Sequence, residues 1–267
     1  MSLRLLSIAL IAALQSFAQP TANAANSKLP RFDHIVVVIL ENHSAAQIVD
    51  SKHAPFIYQL AKGGAFFTNA FAVAHPSQPN YFALFSGSTQ GVKDDRNYLL
   101  DAPNLASALQ AVGKSFVGYV EAGSPRKHNP WQSFVNGRDS ERDFHVFPRD
   151  FGQLPTVSFV IPNLSHDMHD GSISDGDRWL KLNFADYAEW AKRHNSLFIV
   201  IADEDDRSSA ENRIPIIIYG AHVRPGRYTN SISHYSVFAT LLALQGLRPF
   251  AVAAATPPIH GIWDRTK

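Results

Sequence analysis

The sequence predicts an α/β protein in which a mainly parallel central sheet carries helices on both of its faces. Several short runs are continuously apolar and rich in β-branched residues, which is typical of strands that are buried on both faces. Segments with helical periodicity separate these runs, and glycine or proline residues mark their ends. Strands that alternate with helices favour parallel pairing, because the chain must cross over between parallel strands and a helix usually makes that crossing.

Six apolar runs are predicted to be strands. Val, Ile and Phe supply most of their residues, and these residue types favour extended backbone. In chain order the runs are His34–Leu40 (HIVVVIL), 65–73 (AFFTNAFAV), 115–120 (SFVGYV), 156–162 (TVSFVIP), 196–203 (SLFIVIAD) and 214–220 (IPIIIYG).

Five segments between or after these runs are predicted to be helices. Residues 54–62, 104–112 and 234–245 each end at a glycine, a natural helix stop. Residues 176–193 form the longest predicted helix, and an apolar helix begins near Gln78. The long helix has one buried stripe, made by Leu180, Phe184, Tyr187, Ala188 and Ala191. The charged and aromatic residues 121–150 are predicted to form a long loop or cap, which in compact domains is usually functional or disordered.

The N-terminus has the three parts of a secretory signal peptide. Arg4 is followed by an apolar run over residues 5–14 and by the small residues Ala22-Asn23-Ala24. Residues 1–24 are therefore predicted to be removed on export to a secreted or periplasmic location; the alternative is an uncleaved N-terminal anchor. Removing 24 of the 267 residues leaves 243, enough for a single domain over residues 25–267.

The composition limits the partners of the predicted mature chain. Its net charge is zero, because the signal carries only Arg4 and the whole chain is +1, so charge gives no argument for a nucleic-acid partner. The sequence has no cysteine, so burial of its 45% hydrophobic residues, rather than disulfides, must stabilise it. No later segment approaches 18 uninterrupted apolar residues, so no integral membrane segment is expected in the mature chain.

Polar residues follow four of the predicted strands directly. In open parallel sheets, ligands bind outside the carboxyl ends of the strands, so these residues are expected to share one edge. They are Glu41-Asn42-His43, His75 and Ser77, the residues Asn163, His166, Asp167, His169 and Asp170, and Asp203-Glu204-Asp205-Asp206.

The acidic residues at this edge predict a divalent cation. Glu41 and the Asp203-Glu204 pair each follow an apolar strand, where isolated carboxylates would be costly to desolvate. Either pair alone could be a helix cap or a solvated turn, but both together are better explained by a bound ion. An oxygen-rich ligand set suits Mg²⁺, Ca²⁺ or Mn²⁺, and Zn²⁺ remains an alternative.

The stretch HPSQPNY, residues 75–81, joins a predicted strand to a predicted helix. If Ser77 precedes the first turn, its hydroxyl lies at the positive end of the helix, where Pro79 is tolerated. A phosphate would be favoured there, and a hydroxyl beside a cation can attack phosphorus. The alternative is an ordinary N-cap serine, the commonest role of serine at such a position.

Three histidines lie in polar or helix-opening segments: His128 in RKHNPW, His169 in SHDMHDG and His234 in SHYSVF. Each alone is more often a surface or hydrogen-bonding residue. Several that converged on a phosphate could donate to its oxygens or protonate a leaving group, and Lys127 could add positive charge.

Ordered motifs extend from about residue 33 to residue 246. They are VVVILENHS, AHPSQPNYFALFSGSTQGVKDD, RKHNPW, LPTVSFVIPNLSHDMHDGSISDGDRWL, HNSLFIVIADEDD and HYSVFATLLALQGL. Together they resemble the bacterial phosphoesterase family of secreted acid phosphatases and phospholipases C, and most of all its short secreted acid phosphatases. The resemblance implies an alkaline-phosphatase-like fold, with a mainly parallel sheet between helices.

The resemblance also implies roles for individual residues. Ser77 matches a nucleophile that forms a phosphoseryl intermediate and touches the metal, while His169 and His128 match histidines that hold the phosphate or protonate the leaving oxygen. The implied metal ligands are Glu41, Asn42, Ser77, Asp203 and Glu204. The predicted phosphate-binding residues are Asn80, Lys127, Asp170 and His234. Two positions depart from the family pattern, because Arg207 stands where glycine is expected and Ser233 where asparagine is expected.

The predicted function is that of an exported, metal-dependent acid phosphatase that hydrolyses phosphomonoesters, including phosphoinositides, through a phosphoserine. The substrate is expected to be a small-molecule or lipid-headgroup phosphoester. A phospholipase C acting on phosphodiesters is the first alternative, although longer chains with extra C-terminal modules are typical of those relatives. A non-catalytic module that binds phosphate or a lipid headgroup is the second; it would be expected to lack the Ser77 hydroxyl or the acidic pair.

Overall fold

The structure is a computed structural model that describes residues 29–49, 52–208 and 210–264. The predicted signal peptide, residues 1–24, lies outside the described residues. Within the described ranges, no helix combines the length and the apolar character that a membrane crossing requires.

Ten strands form two sheets in the described part of the chain. They are β1 (His34–Leu40), β2 (Ala65–Phe67), β3 (Ala70–Phe71), β4 (Phe116–Val120), β5 (Glu141–Asp143), β6 (Val157–Ile161), β7 (Ser196–Ala202), β8 (Ile216–Gly220), β9 (Gly226–Tyr228) and β10 (Ile232–Ser233). The large sheet has the order β5-β4-β6-β1-β7-β8-β2-β9, and β3 pairs with β10 in a separate two-stranded sheet.

The large sheet is mainly parallel, as the sequence predicts. Strand β1 lies near its middle, where Val37 is in register with Phe159 of β6 and with Ile199 of β7. Strand β8 is the exception, because it runs antiparallel to both β7 and β2. The carboxyl ends of β1, β4, β6 and β7 therefore meet at one edge.

Helices cover both faces of the large sheet. They are α1 (Ala45–Ile48), α2 (Pro55–Gly63), α3 (Ser77–Ser86), α4 (Leu105–Gln110), α5 (Ile173–Ala191) and α6 (His234–Leu244). Alternate residues of β1 point to opposite faces: Val37 packs in the core that contains α3, α4 and α6, whereas Val38 packs in the core that contains α2 and α5. This arrangement explains why β1 is apolar without interruption.

The predicted strand over residues 65–73 is wrong as a single element. Strand β2 pairs with β8 and β9, and the chain then turns at Thr68, whose backbone N–H donates to the carbonyl of Tyr228 at 2.9 Å. Strand β3 continues into the small sheet. Apolar periodicity cannot reveal this transfer, because the residues are buried in both sheets.

Residues 121–150 form a packed cover at the edge of the sheet rather than one long loop. They contain the edge strand β5 and short 3₁₀ turns at Arg126–His128, Pro130–Ser133 and Arg138–Ser140. The buried Trp131 packs on Gly118 of β4, where an added Cβ would lie only 2.3 Å from the indole ring. This contact fixes the segment that carries His128.

Candidate active site

Backbone hydrogen bonds hold the ends of β1, β6 and β7 together at the predicted edge. The N–H of Glu41 donates to the carbonyl of Asp167 at 2.8 Å, and the N–H of Asp203 donates to the carbonyl of Leu40 at 2.9 Å. Three acidic side chains from distant parts of the chain are thereby fixed side by side.

Ser77 is the first residue of α3, and its hydroxyl lies between two carboxylates. The hydroxyl donates to Oε2 of Glu41 at 3.2 Å and is 3.3 Å from Oε1 of Glu204. Its side chain makes no capping bond, and the extended N-cap position is occupied by Pro76. The N-cap alternative is therefore wrong for Ser77, and the hydroxyl is directed to the acids.

Asn80 holds the turn that precedes Ser77. Its side-chain oxygen accepts from the N–H groups of Val73 and Ala74, both at 3.0 Å. Its side-chain nitrogen donates to the carbonyls of Ala74 at 2.8 Å and Pro76 at 3.3 Å. Because the buried amide is fully used by the backbone, the structure gives Asn80 a positioning role instead of the predicted phosphate-binding role.

Glu41, Asp203 and Glu204 are almost inaccessible to solvent, at 0%, 1% and 4% exposure. Burial raises the pKa of Glu41 well above its ordinary value, and the charges of Asp203 and Asp167 raise it further. Burial and the charge of Glu204 likewise raise the pKa of Asp203, and burial raises the pKa of Glu204. Burial therefore makes the charged forms of these three acids costly.

The unpartnered atoms of this site fit a divalent cation. Oδ1 of Asp203 accepts from the N–H groups of Asn42 at 3.2 Å and Glu204 at 2.6 Å, whereas its buried Oδ2 has no hydrogen-bond partner within the described ranges. Among the described residues, no lysine or arginine forms an ion pair with Glu41 or Asp203. Buried carboxylates of this kind are stable when they are protonated or when they hold a cation.

A second group of possible ligands shares Glu41. In the described ranges, one ligand atom each from Glu41, His128 and Asp167 lies within 4.8 Å of the other two, and all three residues are buried. Nε2 of His128 is 3.4 Å from Oε2 of Glu41, and its Nδ1 is 3.7 Å from Oδ2 of Asp167. This Glu/His/Asp group suits a divalent metal.

Electrostatics keeps His128 neutral in this group. Burial lowers the pKa of His128 well below its ordinary value, and the charges of Lys127 and His169 act in the same direction. Burial raises the pKa of Asp167 to about 7. Asp167 follows β6 in the SHDMHDG motif, but the predicted site residues did not include it.

His169 lies at the open side of the site. Its backbone N–H donates to Oδ1 of Asp167 at 2.8 Å, and its Nδ1 is 2.6 Å from Oδ1 of Asp170. The ring centroids of His169 and His128 are 6.3 Å apart. The side chain of His169 is 31% exposed, so this histidine, unlike His128, can meet a substrate from solution.

Lys127 and Asp95 lie beside the N-terminus of α3. Nζ of Lys127 is 3.0 Å from Oδ2 of Asp95, whose Oδ1 accepts from the N–H of Gln78 at 3.1 Å. Asp95 thus links Lys127, a predicted phosphate-binding residue, to the helix that carries Ser77.

The predicted phosphate-binding role of His234 finds no support in the structure. The residue is 1% exposed, and its ring is enclosed by the protein beside the backbone of Ala202. Burial lowers the pKa of His234 to about 4, an effect that the backbone of Ala202 partly offsets. A neutral, enclosed imidazole cannot supply positive charge to a phosphate.

Two further neighbours contact the acids: His75, which was expected at this edge, and Tyr81, which sequence reasoning missed. The hydroxyl of Tyr81 donates to Oε1 of Glu41, and Nδ1 of His75 pairs with Oε2 of Glu204. Both belong to the HPSQPNY stretch. Tyr81 comes four residues after Ser77, so the two share one face of α3, a signal that was available from spacing.

Both departures from the family pattern have local structural explanations. Arg207 adopts a left-handed backbone with φ 63°, which glycine adopts without strain, and its N–H donates to Oδ1 of Asp205 at 2.9 Å. Ser233 is the N-cap of α6 and forms a capping box with Ser236. Asparagine is also a good N-cap, so this position keeps its structural role.

Comparison with known proteins assigns the chain to a family. A model of the phosphoesterase family matches residues 47–248. The chain belongs to the phosphoesterase family. The predicted family is confirmed, as is the enzyme class, a hydrolase of phosphoric esters.

Two curated relatives span most of this phosphoesterase. A phosphatidylinositol-3-phosphatase of Mycobacterium tuberculosis is 47% identical over 92% of this chain and 88% of its own length. A phosphate-repressible acid phosphatase of Penicillium chrysogenum is 28% identical over 95% of this chain, which spans 66% of the fungal enzyme.

A solved structure shows the same fold. A protein in the alkaline phosphatase superfamily from Vibrio parahaemolyticus superposes with a TM-score of 0.62 at 16% identity, covering 87% of this chain and 71% of that protein. The alkaline-phosphatase-like fold predicted for this phosphoesterase is confirmed.

Proposed function

We propose that this phosphoesterase is a metal-dependent phosphatase that hydrolyses phosphomonoesters through a phosphoserine at Ser77. The placement of the Ser77 hydroxyl carries the proposal, because it lies between Glu41 and Glu204 at the first turn of α3. The amides and dipole of a helix N-terminus favour the charge of a phosphate at that position.

Phosphoinositides are the proposed substrate class. This is supported by the 47% identity to a phosphatidylinositol-3-phosphatase, and the acid phosphatase relatives support phosphomonoesters more generally. The signal-peptide pattern of residues 1–24 supports a secreted or periplasmic location.

The proposed cation ligands are Glu41, Asp203, Glu204 and Ser77, with Asn42 beside them. The contact of both glutamates with the Ser77 hydroxyl favours this position over the Glu41–His128–Asp167 group. The oxygen donors suit Mg²⁺, Ca²⁺ or Mn²⁺. When bound, the ion would lower the pKa of the Ser77 hydroxyl and offset charge on the phosphoryl oxygens.

The first chemical step uses residues at both ends of the ester bond. The Ser77 oxygen forms a bond to phosphorus while its proton passes to a neighbouring carboxylate, Glu41 or Glu204. The bond from phosphorus to the alcohol oxygen breaks, and that oxygen takes a proton from His169. The pairing of Nδ1 of His169 with Asp170 at 2.6 Å leaves Nε2 as the nitrogen that delivers the proton.

The second step reverses these roles. His169, now neutral, accepts a proton from water as the water oxygen forms a bond to phosphorus. The bond from phosphorus to the Ser77 oxygen breaks, that oxygen takes back its proton from the neighbouring carboxylate, and inorganic phosphate leaves. Lys127, held by Asp95, supplies positive charge near the bound phosphate.

A substrate panel tests the proposed function. Wild type and Ser77→Ala are assayed on p-nitrophenyl phosphate, phosphatidylinositol 3-phosphate and bis-p-nitrophenyl phosphate, each with and without a chelator. We expect wild type to hydrolyse both monoesters faster than the diester, and Ser77→Ala or chelator to abolish turnover. Equal or faster turnover of the diester would instead indicate a phosphodiesterase, and phosphate binding without turnover of any ester would indicate a binding module.

A further inference from the structure

Glu121 joins three elements behind the proposed catalytic histidine. It follows β4, and its Oε2 accepts from the N–H of Asn163 at 2.9 Å. Its Oε1 accepts from Nε1 of Trp179 on α5 at 3.1 Å, and Nδ1 of His166 is 2.9 Å from both oxygens. One carboxylate thus ties the end of β4 to α5 and to the loop that follows β6.

That loop, residues 163–171, carries His169. The carbonyl of Asn163 accepts from the N–H groups of His166 at 2.9 Å and Asp167 at 2.8 Å. Oδ1 of Asp167 then accepts from the N–H of His169 at 2.8 Å. A continuous series of hydrogen bonds therefore runs from Glu121 to the backbone of His169.

The ring of His166 gives this series a rigid support. It stacks on the indole of Trp179, with ring centroids 5.8 Å apart and planes 19° from parallel. The carboxylate of Glu121 bonds to both rings, so it sets the position of His166 against α5. Trp179 is buried, which fixes the far side of the assembly.

The residue before His169 shows that the loop is held in a strained form. Met168 adopts φ 80° and is 1% exposed, although a long side chain rarely takes a left-handed backbone. Such a backbone conformation is unfavourable and persists where the surrounding structure determines it. Close packing on α5 contributes, since a Cβ at Gly176 would lie 2.5 Å from Cγ of Met168.

We propose that Glu121, acting through His166 and the loop of residues 163–171, is a positioning residue that holds His169 for protonation of the leaving alcohol. The inference rests on the proposed function, in which His169 is the general acid. Glu121 itself touches no reacting atom.

Both carboxylate oxygens of Glu121 must accept hydrogen bonds. In Glu121→Gln, an NH₂ group would replace one acceptor and face the N–H of either Asn163 or Trp179. The variant keeps the size of the side chain, so it disturbs the loop without opening a cavity. We expect His169 to lose its position while Ser77 and the acids keep theirs.

Dependence on the leaving group provides the test. The value of kcat/KM is measured for glycerol 3-phosphate, which needs a protonated leaving oxygen, and for p-nitrophenyl phosphate, which does not. We expect Glu121→Gln to lower kcat/KM for glycerol 3-phosphate by about tenfold to a hundredfold, and for p-nitrophenyl phosphate by less than about threefold. His169→Asn should show the same selectivity, and the double variant should be little worse than His169→Asn alone.

Glu141→Gln is the matched control. Glu141 also accepts from a tryptophan, Nε1 of Trp131 at 2.6 Å, and from Nε2 of Gln132 at 2.8 Å, but it lies on the edge strand β5. We expect Glu141→Gln to change stability without changing the ratio of kcat/KM between the two substrates. A structural role alone would lower both rates together.

The outcomes separate this inference from the proposed function. If wild type hydrolyses neither of these substrates nor phosphatidylinositol 3-phosphate, the proposed function fails. If wild type is active but Glu121→Gln lowers both rates equally, or lowers neither, the inference is overturned. The inference is also overturned if His169→Asn lowers kcat/KM equally for glycerol 3-phosphate and p-nitrophenyl phosphate.

Discussion

The hydroxyl of Ser77 lies 3.2 Å from Oε2 of Glu41, although 36 positions separate the two residues in the chain. Glu41 directly follows the central strand β1, and Ser77 begins α3 on one face of the sheet. The same hydroxyl is 3.3 Å from Glu204, which follows β7. The proposed nucleophile and two acidic groups therefore meet through the topology of the sheet.

The position of the cation is the first prediction. Asp203→Asn should lower the metal content from about one ion per chain to a small fraction of one, because Asp203 is a ligand in the proposed site beside Ser77 and Asp167 is not. Asp167→Asn should retain the ion. Elemental analysis of the dialysed proteins measures both.

Asp186→Asn, an exposed change on α5, is the control for these variants and should leave the metal content unchanged. If Asp167→Asn lost the ion while Asp203→Asn kept it, the ion would belong to the Glu41–His128–Asp167 group, and the proposed ligand set would be wrong.

The stability of the metal-free protein should depend on pH through Asp167. Burial raises the pKa of Asp167 to about 7 in the folded protein, whereas the ordinary value is 3.8. Between these values the folded state binds more protons than the unfolded state, so this carboxyl group lowers stability as pH rises. Its contribution is on the order of a few kcal/mol across that range.

Buried His234 has the opposite effect on the pH dependence of stability. Its pKa of about 4 lies below the ordinary 6.5, so its contribution is lost as pH falls from 6.5 to 4. The free energy of unfolding of Asp167→Asn minus that of wild type isolates the carboxyl group. In the presence of a chelator, this difference should rise from pH 4 to pH 7 and then level off; a difference independent of pH would contradict the placement of Asp167.

Tyr81 should affect both stability and activity, since its hydroxyl donates to Oε1 of Glu41. Tyr81→Phe leaves that buried oxygen without this donor, and the free energy of unfolding should fall by about 1–3 kcal/mol. Because Glu41 also faces Ser77, kcat/KM should fall by about tenfold. Denaturant unfolding and steady-state kinetics measure the two effects.

Tyr228→Phe is the matched control, because its hydroxyl donates to the carbonyl of Arg224 away from the acids. It should leave kcat/KM unchanged. Equal kinetic effects of the two phenylalanine substitutions would show that the Tyr81 hydroxyl does not support Glu41.

The main features of the fold could be predicted because strands that are buried on both faces of a sheet are recognisable as apolar runs. Strands β1, β6 and β7 are uninterrupted apolar runs, and their ends identified the edge that holds the site. The division of residues 65–73 between two sheets was not predicted, although the polar pair Thr68-Asn69 interrupts the apolar run where the chain leaves β2.

The residues of the candidate site could be predicted where a reactive or ligating side chain comes soon after a strand, as at Glu41, Ser77 and Asp203. Roles that depend on side-chain direction could not be predicted. Asn80 and His234 have suitable chemistry, but one bonds to the backbone of its own turn and the other is enclosed. The polar character of a residue does not show whether it faces the ligand or the protein.

The most direct test of the central claim is detection of the phosphate on Ser77 itself. Wild type is mixed with p-nitrophenyl phosphate, quenched in acid during turnover, digested and analysed by mass spectrometry, with Ser86→Ala as a control at the other end of α3. We expect phosphoserine at position 77 in both proteins and no turnover in Ser77→Ala. Full turnover by Ser77→Ala, or active protein that never carries phosphate at Ser77, would contradict the account.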